Sequence, residues 1–349
     1  MKYVSVEQQT LQQFILDLLR AAGVDEQEAP IIAQVFVWSD LIERSTQGVG
    51  RLAAYLKRLS LGLIQSPCRP EFSQKAETIY ILDGHDGFGH YLGHLAMTKA
   101  IEVAAEYGVG LVGVQHSNHF GAGAYYVQLA AAQGHLGLAT SNSVPNVAPY
   151  GGITPVLGTN PFAFSAPVRD GQSILVDFST GASAGSVLRK AIAENQPIPA
   201  GIVIDAEGNP ITDPQAAAQG VMLPFGGAKG FCLGLLVEIL SGVITGAAIS
   251  HEIASLHKNF ERSSNVGHLF IAIDISKLMP VEHYFERMDL LIGFIKSTKK
   301  GKEVAEILIP GETRWRHYTQ QLHAGIRLEL KTIESLTALA KDLKLATPW

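Results

Sequence analysis

The polar run His116-Ser117-Asn118-His119-Phe120-Gly121-Ala122-Gly123 joins a strand-like stretch to a helix-like one. Such a junction presents side chains and backbone N–H groups at the carboxyl edge of a sheet, where α/β proteins bind ligands. A histidine with an ordinary pKa of about 6.5 suits proton transfer there. The same residues fit equally well a turn whose polar groups bond backbone. Gly226-Gly227-Ala228-Lys229-Gly230 sets flexible glycines and one cation ahead of a helix, which suits phosphate. The P-loop spacing is absent, and a tight turn into a buried helix explains the segment as well.

Three further patterns compete. Gly181-Ala182-Ser183-Ala184-Gly185 matches GxSxG after the strand-like Ile174 to Asp177, the context of a nucleophile elbow. A serine hydrolase built on Ser183 would draw its acid from Asp205 or Asp213 and its base from His251, His257 or His268. Against this, Thr180 precedes the motif where a strand residue belongs. His90 and His94 stand four apart, as two zinc ligands on a helix do, but no Glu lies between them and no third ligand is evident. A polar pair at a helix start is the simpler reading, and no metal is expected. Neither Gly121-x-Gly123 nor Gly87-Phe88-Gly89-His90 completes GxGxxG, and the acidic residue that should follow is missing, so a Rossmann fingerprint is not supported.

The elements that must position these residues follow from periodicity. Ser5 and Gln8 make a capping-box start, with Leu11, Phe14, Ile15, Leu18 and Leu19 on one helical face and Gly23 as the stop. Asp25 caps a second helix through Val35 and Leu41, and Leu52, Tyr55, Leu56 and Leu59 mark a third. The prolines in Ser66-Pro67-Cys68-Arg69-Pro70 mark a boundary. Strands are then expected at Thr78 to Leu82, Gly110 to Gln115, Leu136 to Ser141, Phe162 to Ala166 and Ile174 to Asp177. Helices at Tyr91 to Tyr107 and Ala122 to Ala132 alternate with the first three, which argues for an α/β sheet that is at least partly parallel. Lys190 to Gln219 reads as a long ordered loop with a turn at Glu207-Gly208-Asn209-Pro210. A helix from Lys229 to about Gly246, a strand at Leu269 to Asp274, and helices at Val281 to Ser297 and Ile333 to Leu343 complete the chain.

Composition narrows the class. The 349 residues carry 27 Lys and Arg against 32 Asp and Glu, a net charge of -5, so there is no basic footprint for nucleic acid or anionic membrane. With 47% hydrophobic and 17% charged residues the chain has the makings of a folded core. The first twenty residues lack the pattern of a signal peptide, and Phe231 to Ile249, interrupted by Glu238 and glycines, reads as a buried helix rather than a membrane span. Cys68 and Cys232 have no pairing or metal spacing and suggest reduced thiols in a cytoplasm.

Across these segments the chain resembles a known family. The stretches concerned are Ser117-Asn118-His119-Phe120-Gly121, Ser141-Asn142-Ser143, Ala148-Pro149-Tyr150-Gly151-Gly152, and Leu157-Gly158-Thr159-Asn160-Pro161-Phe162-Ala163. They continue with Asp177-Phe178-Ser179-Thr180, Leu223 to Gly230, Glu238 to Gly242, Gly267 to Asp274, and Ile309-Pro310-Gly311-Glu312. In this order, over almost the whole length, they resemble the malate/L-lactate dehydrogenase family, which includes ureidoglycolate and sulfolactate dehydrogenases and reductases of diketogulonate and piperideine-carboxylate. The resemblance implies an α/β protein with a non-Rossmann dinucleotide-binding sheet domain and a helical domain built from the N- and C-terminal segments. The expected divisions are 1–70, 71–280 and 281–349. It implies NADPH or NADH as cofactor, a small 2-oxo, 2-hydroxy or cyclic 2-imino acid as substrate, and a homodimer. By the same carry-over His119 is the active-site histidine, with Asn118 and Thr159 near substrate. Ser143, Asp177, Ser179, Lys229, Gly311 and Glu312 fall at cofactor positions, and Ser183 falls in a cofactor loop.

Two departures touch the chemistry. Where the family reads Asp-Leu-Arg-Gly-x-x-Ser-His-Gly, with the histidine as proton donor, this chain reads Asp40-Leu41-Ile42-Glu43-Arg44-Ser45-Thr46-Gln47-Gly48. Gln47 therefore stands at the histidine position, and an amide hydrogen-bonds a carbonyl without exchanging a proton. The family's Gly-Lys pair is Ser186-Val187 here, with Arg189 and Lys190 as nearby cations. The expectation is an active oxidoreductase that uses His119 or water as acid, or reduces an already protonated imine, with Gln47 and Arg44 shaping recognition. A cofactor-binding paralogue without turnover is the alternative.

Overall fold

Val109–Ser117 and Val266–Asp274 are the longest strands, and their buried Val112, Val114, Leu269 and Phe270 make the middle of a seven-stranded sheet. The computed structural model describes residues 3–169, 171–183, 188, 191–192 and 194–349. The sheet runs β2 (Glu71–Ala76), β3 (Ile79–Asp83), β4 (Val109–Ser117), β11 (Val266–Asp274), β5 (His135–Ser141), β6 (Phe162–Ala166), β7 (Ile174–Phe178). Among the described residues only β3 and β4 pair in parallel, through α4 (Gly89–Tyr107); the other neighbours are antiparallel. This is a mixed α/β sheet without the parallel run of a Rossmann domain.

Helices α4 and α5 (Gly123–Ala131) pack on the sheet through Ala96, Ala100, Ala104, Val127 and Ala130, small and branched residues that let helix and strand approach closely. Gly89 matters to the site, because a Cβ there would overlap the Asn118 carbonyl and push α4 off the 118–119 turn. A second core joins the chain's two ends. Helices α1 (Gln8–Ala21), α2 (Ala29–Leu41) and α3 (Leu52–Ser60) bury Leu11, Ile15, Phe36 and Tyr55 together with Ile333 and Leu336 of the C-terminal helix Leu330–Asp342. Strands β1 (Tyr3–Val6) and β12 (Ile326–Glu329) pair beside it.

Several boundaries differ from expectation for identifiable reasons. Ser5 caps no helix; it lies in β1 and its hydroxyl donates to the Ala324 carbonyl, while α1 starts at Gln8. Strand β2 escapes notice because all six of its residues are exposed. Helix Glu312–Ala324 escapes because only Trp315 and Gln321 are buried on it. The supposed loop at 190–219 supplies two strands of a small three-stranded sheet, in which β8 (Val203–Ile204) lies between β9 (Pro210–Ile211) and β10 (Val221–Met222). Its hairpin turn is closed by Asp205, which accepts from the Glu207 and Asn209 N–H groups, and by Gly208 at φ +90°.

The stretch read as one buried helix from 231 to 249 is α6 (Ala228–Glu238) followed by a π-turn at Ile239–Val243. It is not buried in the single chain: Val243 and Ile244 are 56% and 53% exposed, and only one side of it faces the sheet. Helix Val281–Lys296 likewise has no buried residue, and Phe294 is 62% exposed. Among the described residues no helix is long and apolar enough to cross a membrane.

Candidate functional site

A cavity of about 220 Å³ opens where the turn between β4 and α5 faces the segment between α2 and α3. It brings together His119, Gln47, Thr159, Ser143, Asp177 and Ser179 from separate parts of the sequence. Arg44, Arg51 and His257 share its wall, and Ser141 and Asn142 form its floor.

His119 is held by two donors. Its Nδ1 lies 2.5 Å from the Tyr55 hydroxyl and accepts the Gly121 N–H at 3.2 Å. A backbone N–H can only donate, so Nδ1 is the accepting nitrogen and the ring proton sits on Nε2. Burial, then the Arg51 guanidinium, holds the imidazole well below its ordinary pKa. The neutral ring is therefore a hydrogen-bond donor through Nε2–H and a weak source of protons at neutral pH. Burial pushes the Tyr55 hydroxyl upward, which keeps it protonated as a donor.

Gln47 ends a short 3-10 turn at Ser45–Gln47, and its Oε1 is buried without a hydrogen-bond partner. The backbone behind it is pinned by Asp40, whose carboxylate accepts the Val49 N–H at 2.8 Å. Burial raises that carboxyl to about 7. Arg51 at the entrance to α3 donates through Nε to the Thr46 carbonyl, closing the loop that carries Gln47. Ser143 Oγ is a second buried atom without a partner on this wall.

Beneath the cavity lies a closed polar layer. Asn142 donates to the Ala248 carbonyl at 2.8 Å and accepts the Gly267 N–H at 2.9 Å. Asn160 donates to Glu238 at 2.7 Å and accepts the Ser143 N–H. Glu238 also takes the Ser250 N–H at 2.9 Å. His268 bridges Ser141 and Ser117, each at 2.9 Å, and stacks on Phe120 at 4.6 Å; burial lowers its pKa to about 3.

Other expected site residues sit elsewhere. Asn118 is fully buried behind His119, its amide donating to the Asp86 and Gly87 carbonyls, and does not line the cavity. Lys229 is exposed on the first turn of α6, next to a second, glycine-rich cavity of about 480 Å³ that includes Tyr150, Gly226 and Gly227. Gly311, at φ +102°, packs on Leu175, and Glu312 accepts from Lys296 at 2.6 Å and from the Ile309 N–H at 3.0 Å. Both lie outside the cavity lining of this single chain.

Ser183 lies outside the lining as well. Just before it, Gly181 bridges to Pro224 and the Ala182 N–H donates to the Leu223 carbonyl, while residues 184 and 185, which would complete the elbow motif, fall outside the described residues. Positions 186, 187, 189 and 190, where the family's cation was sought, fall outside the described residues. His90 is fully buried and held to about pKa 3 by burial, and His94 meets the Tyr125 hydroxyl at 3.2 Å. No metal-binding cluster of His, Cys, Asp or Glu occurs among the described residues.

Sequence reasoning passed over Tyr55, Arg51 and Arg314. The first two stand four residues apart, the spacing of one helix face, but Tyr55 had been counted only as part of an apolar stripe.

The chain is similar to known proteins over almost its whole length. A family profile described as malate/L-lactate dehydrogenase matches residues 6–337. A malate/(S)-sulfolactate dehydrogenase of Methanothermus fervidus is 36% identical over 335 residues, 96% of this chain and 97% of that one. A Delta(1)-pyrroline-2-carboxylate reductase of Burkholderia ambifaria is 34% identical over 74% of this chain and 76% of its own. The crystal structure of malate dehydrogenase from Entamoeba histolytica superposes with a TM-score of 0.95 at 28% identity, covering 100% of both chains.

Proposed function

Because the chain belongs to the malate/L-lactate dehydrogenase family of nicotinamide-dependent oxidoreductases, we propose that it interconverts a small 2-oxo acid with its 2-hydroxy acid, or reduces a cyclic 2-imino acid, with the imine preferred. The observation that carries the preference is the pairing of a neutral His119 with Gln47. Neither group has a proton to give at neutral pH, whereas a 2-oxo acid needs one on its oxygen as it is reduced. A protonated cyclic imine brings its own, and its N–H matches the unpartnered Gln47 Oε1. His119 Nε2–H then orients the substrate, and Arg51 binds its carboxylate.

The wall fits a nicotinamide cofactor, NADPH or NADH, in that Ser143 Oγ is buried and unpartnered next to Thr159, Asp177 and Ser179. When bound, the cofactor supplies or accepts the hydride. Asn118 serves from behind by fixing the turn that carries His119, and Lys229, Gly311 and Glu312 are assigned to the cofactor's outer parts. A homodimer accounts for the exposed apolar residues Val243, Ile244, Leu291 and Phe294, and the cytoplasm is the proposed compartment.

The test is binding of NADH and NADPH followed by fluorescence, then oxidation of the bound form with a panel of 2-oxo and cyclic imino acids. Absence of cofactor binding sinks the reading. Binding without turnover in either substrate class establishes the inactive paralogue instead. Light scattering at two concentrations checks the dimer, which a monomer mass overturns.

A further inference from the structure

Asp177 is over-supplied with positive charge. Arg44 Nη2 and Arg314 Nη2 donate to the same Asp177 carbonyl oxygen, at 2.5 and 2.7 Å. The carboxylate of Asp177 lies 3.4 Å from Arg44 and 3.9 Å from Arg314, and also accepts the Ala124 N–H at 3.2 Å. Among the described residues two guanidiniums thus face one carboxylate whose side chain is only 7% exposed. Arg44 Nε and Arg314 Nη1 are buried and make no hydrogen bond.

A surface ion pair in the same molecule shows the opposite balance. Arg169 lies between two carboxylates, Glu282 and Asp289, each at 2.9 Å. There the anions outnumber the cation in open solvent, where the excess costs little. At Asp177 the cations outnumber the anion in a partly buried wall, where like charges repel more strongly and unmade hydrogen bonds are costly. An oxyanion would answer both problems, since guanidinium offers planar paired donors to carboxylate, sulfonate or phosphate. Arg44 and Asp177 line the cavity while Arg314 does not, so such a group meets Arg44 from within the site and Arg314 acts through the shared Asp177.

We propose that Arg44 and Arg314, braced on Asp177, form an anion subsite of the cavity that selects bound molecules carrying an additional acidic group. The subsite rests on the oxidoreductase reading above and extends it. Arg51 serves the carboxylate next to the reacting carbon; Arg44 serves a second oxyanion. That oxyanion has two possible sources, a distal acid group on the substrate or the 2′-phosphate that distinguishes NADPH from NADH.

Two matched pairs of probes read this directly. NADPH against NADH differs by the 2′-phosphate, and oxaloacetate against 2-oxobutanoate differs by the distal carboxylate. Dissociation constants are measured for the intact wild-type protein, Arg44→Met, Arg314→Met and Arg44→Lys, with thermal melts to confirm folding. The wild type is expected to favour the charged member of one pair by about tenfold or more, the worth of one charge-assisted hydrogen bond. Arg44→Met brings that preference to within about twofold, and Arg44→Lys retains part of it. The pair that flattens identifies the source. No preference in either pair, or a preference that survives both methionine variants, overturns the subsite. If the wild type binds no nicotinamide cofactor, the functional reading fails, while the keto-acid pair still reports on Arg44.

Discussion

The cavity wall and the layer beneath it are made from the same kinds of residue, yet their hydrogen bonds end differently. In the layer, Glu238, Asn142, Asn160 and His268 lock strands, π-turn and loops together, with each of these side chains partnered. On the wall, Gln47 Oε1, Ser143 Oγ and Arg44 Nε are buried and unpartnered, as is Asn118 Oδ1 just behind it. Closed networks hold shape, and open donors and acceptors mark where a ligand completes the structure. The layer is therefore expected to carry stability and the wall to carry chemistry.

Replacing His119 is the strongest way to break this contrast. His119→Ala should lower kcat/KM by roughly 10²- to 10³-fold in steady-state assays, the cost of losing one oriented hydrogen-bond donor, with a melting temperature close to wild type. A large loss of stability with unchanged turnover per folded molecule would place His119 with the layer instead.

The next effect is on stability against pH, and its sign differs between groups. Asp40 has a folded pKa of about 7 against 3.8 as the ordinary value, so its stabilising contribution is complete below the ordinary value and is lost as pH rises through about 7. Asp40→Asn should remove that slope and gain roughly 4 kcal/mol at pH 8, read by urea denaturation across pH. His90 and His268 titrate the other way. Their folded values of about 3 lie below the ordinary 6.5, so stability is complete above the ordinary value and falls as pH drops toward about 3. An unchanged pH slope in Asp40→Asn would show that this carboxyl is not held protonated.

A third measurement sharpens the role of the layer. Glu238→Ala leaves the Ser250 N–H and bonds from two amides without their acceptor, and should cost about 2–4 kcal/mol. Glu238→Gln should cost less. If Glu238→Ala melts like wild type but binds cofactor poorly, the layer belongs to the site.

The smallest expected change is at Gln47. Gln47→His should raise reduction of a 2-oxo acid by about tenfold, below the ~10²-fold of a fully positioned acid because the cavity has not been shaped around an imidazole there, and slow reduction of the imine. Faster turnover of both substrate classes would mean that the Gln47 carbonyl recognises nothing.

Much of this was legible in the chain. Short apolar runs bounded by Gly, Asn or Pro correspond to β4, β5, β6, β7 and β11 within a few residues, because buried strands between turns leave that mark. β2 was illegible because an exposed edge strand needs no apolar residue, and helix Glu312–Ala324 because most of its surface is polar. At the site, ordered motifs pointed to His119, Ser143, Thr159, Asp177 and Ser179, all of which line one cavity. Arg44, Arg51, Tyr55 and Arg314 come together only in three dimensions. Tyr55 looked like core, and Arg314 lies 137 residues beyond the Asp177 carbonyl it meets. The half-exposed 239–249 region reads as core because apolar composition alone does not say what covers Val243 and Ile244.

A neutral His119 and a Gln47 amide that transfers no proton favour a substrate that brings its own. The ratio of kcat/KM for Δ1-piperideine-2-carboxylate to that for pyruvate, with the same nicotinamide cofactor at neutral pH, tests it most directly. A ratio well above one is predicted; a ratio below one, with pyruvate reduced readily, would contradict it.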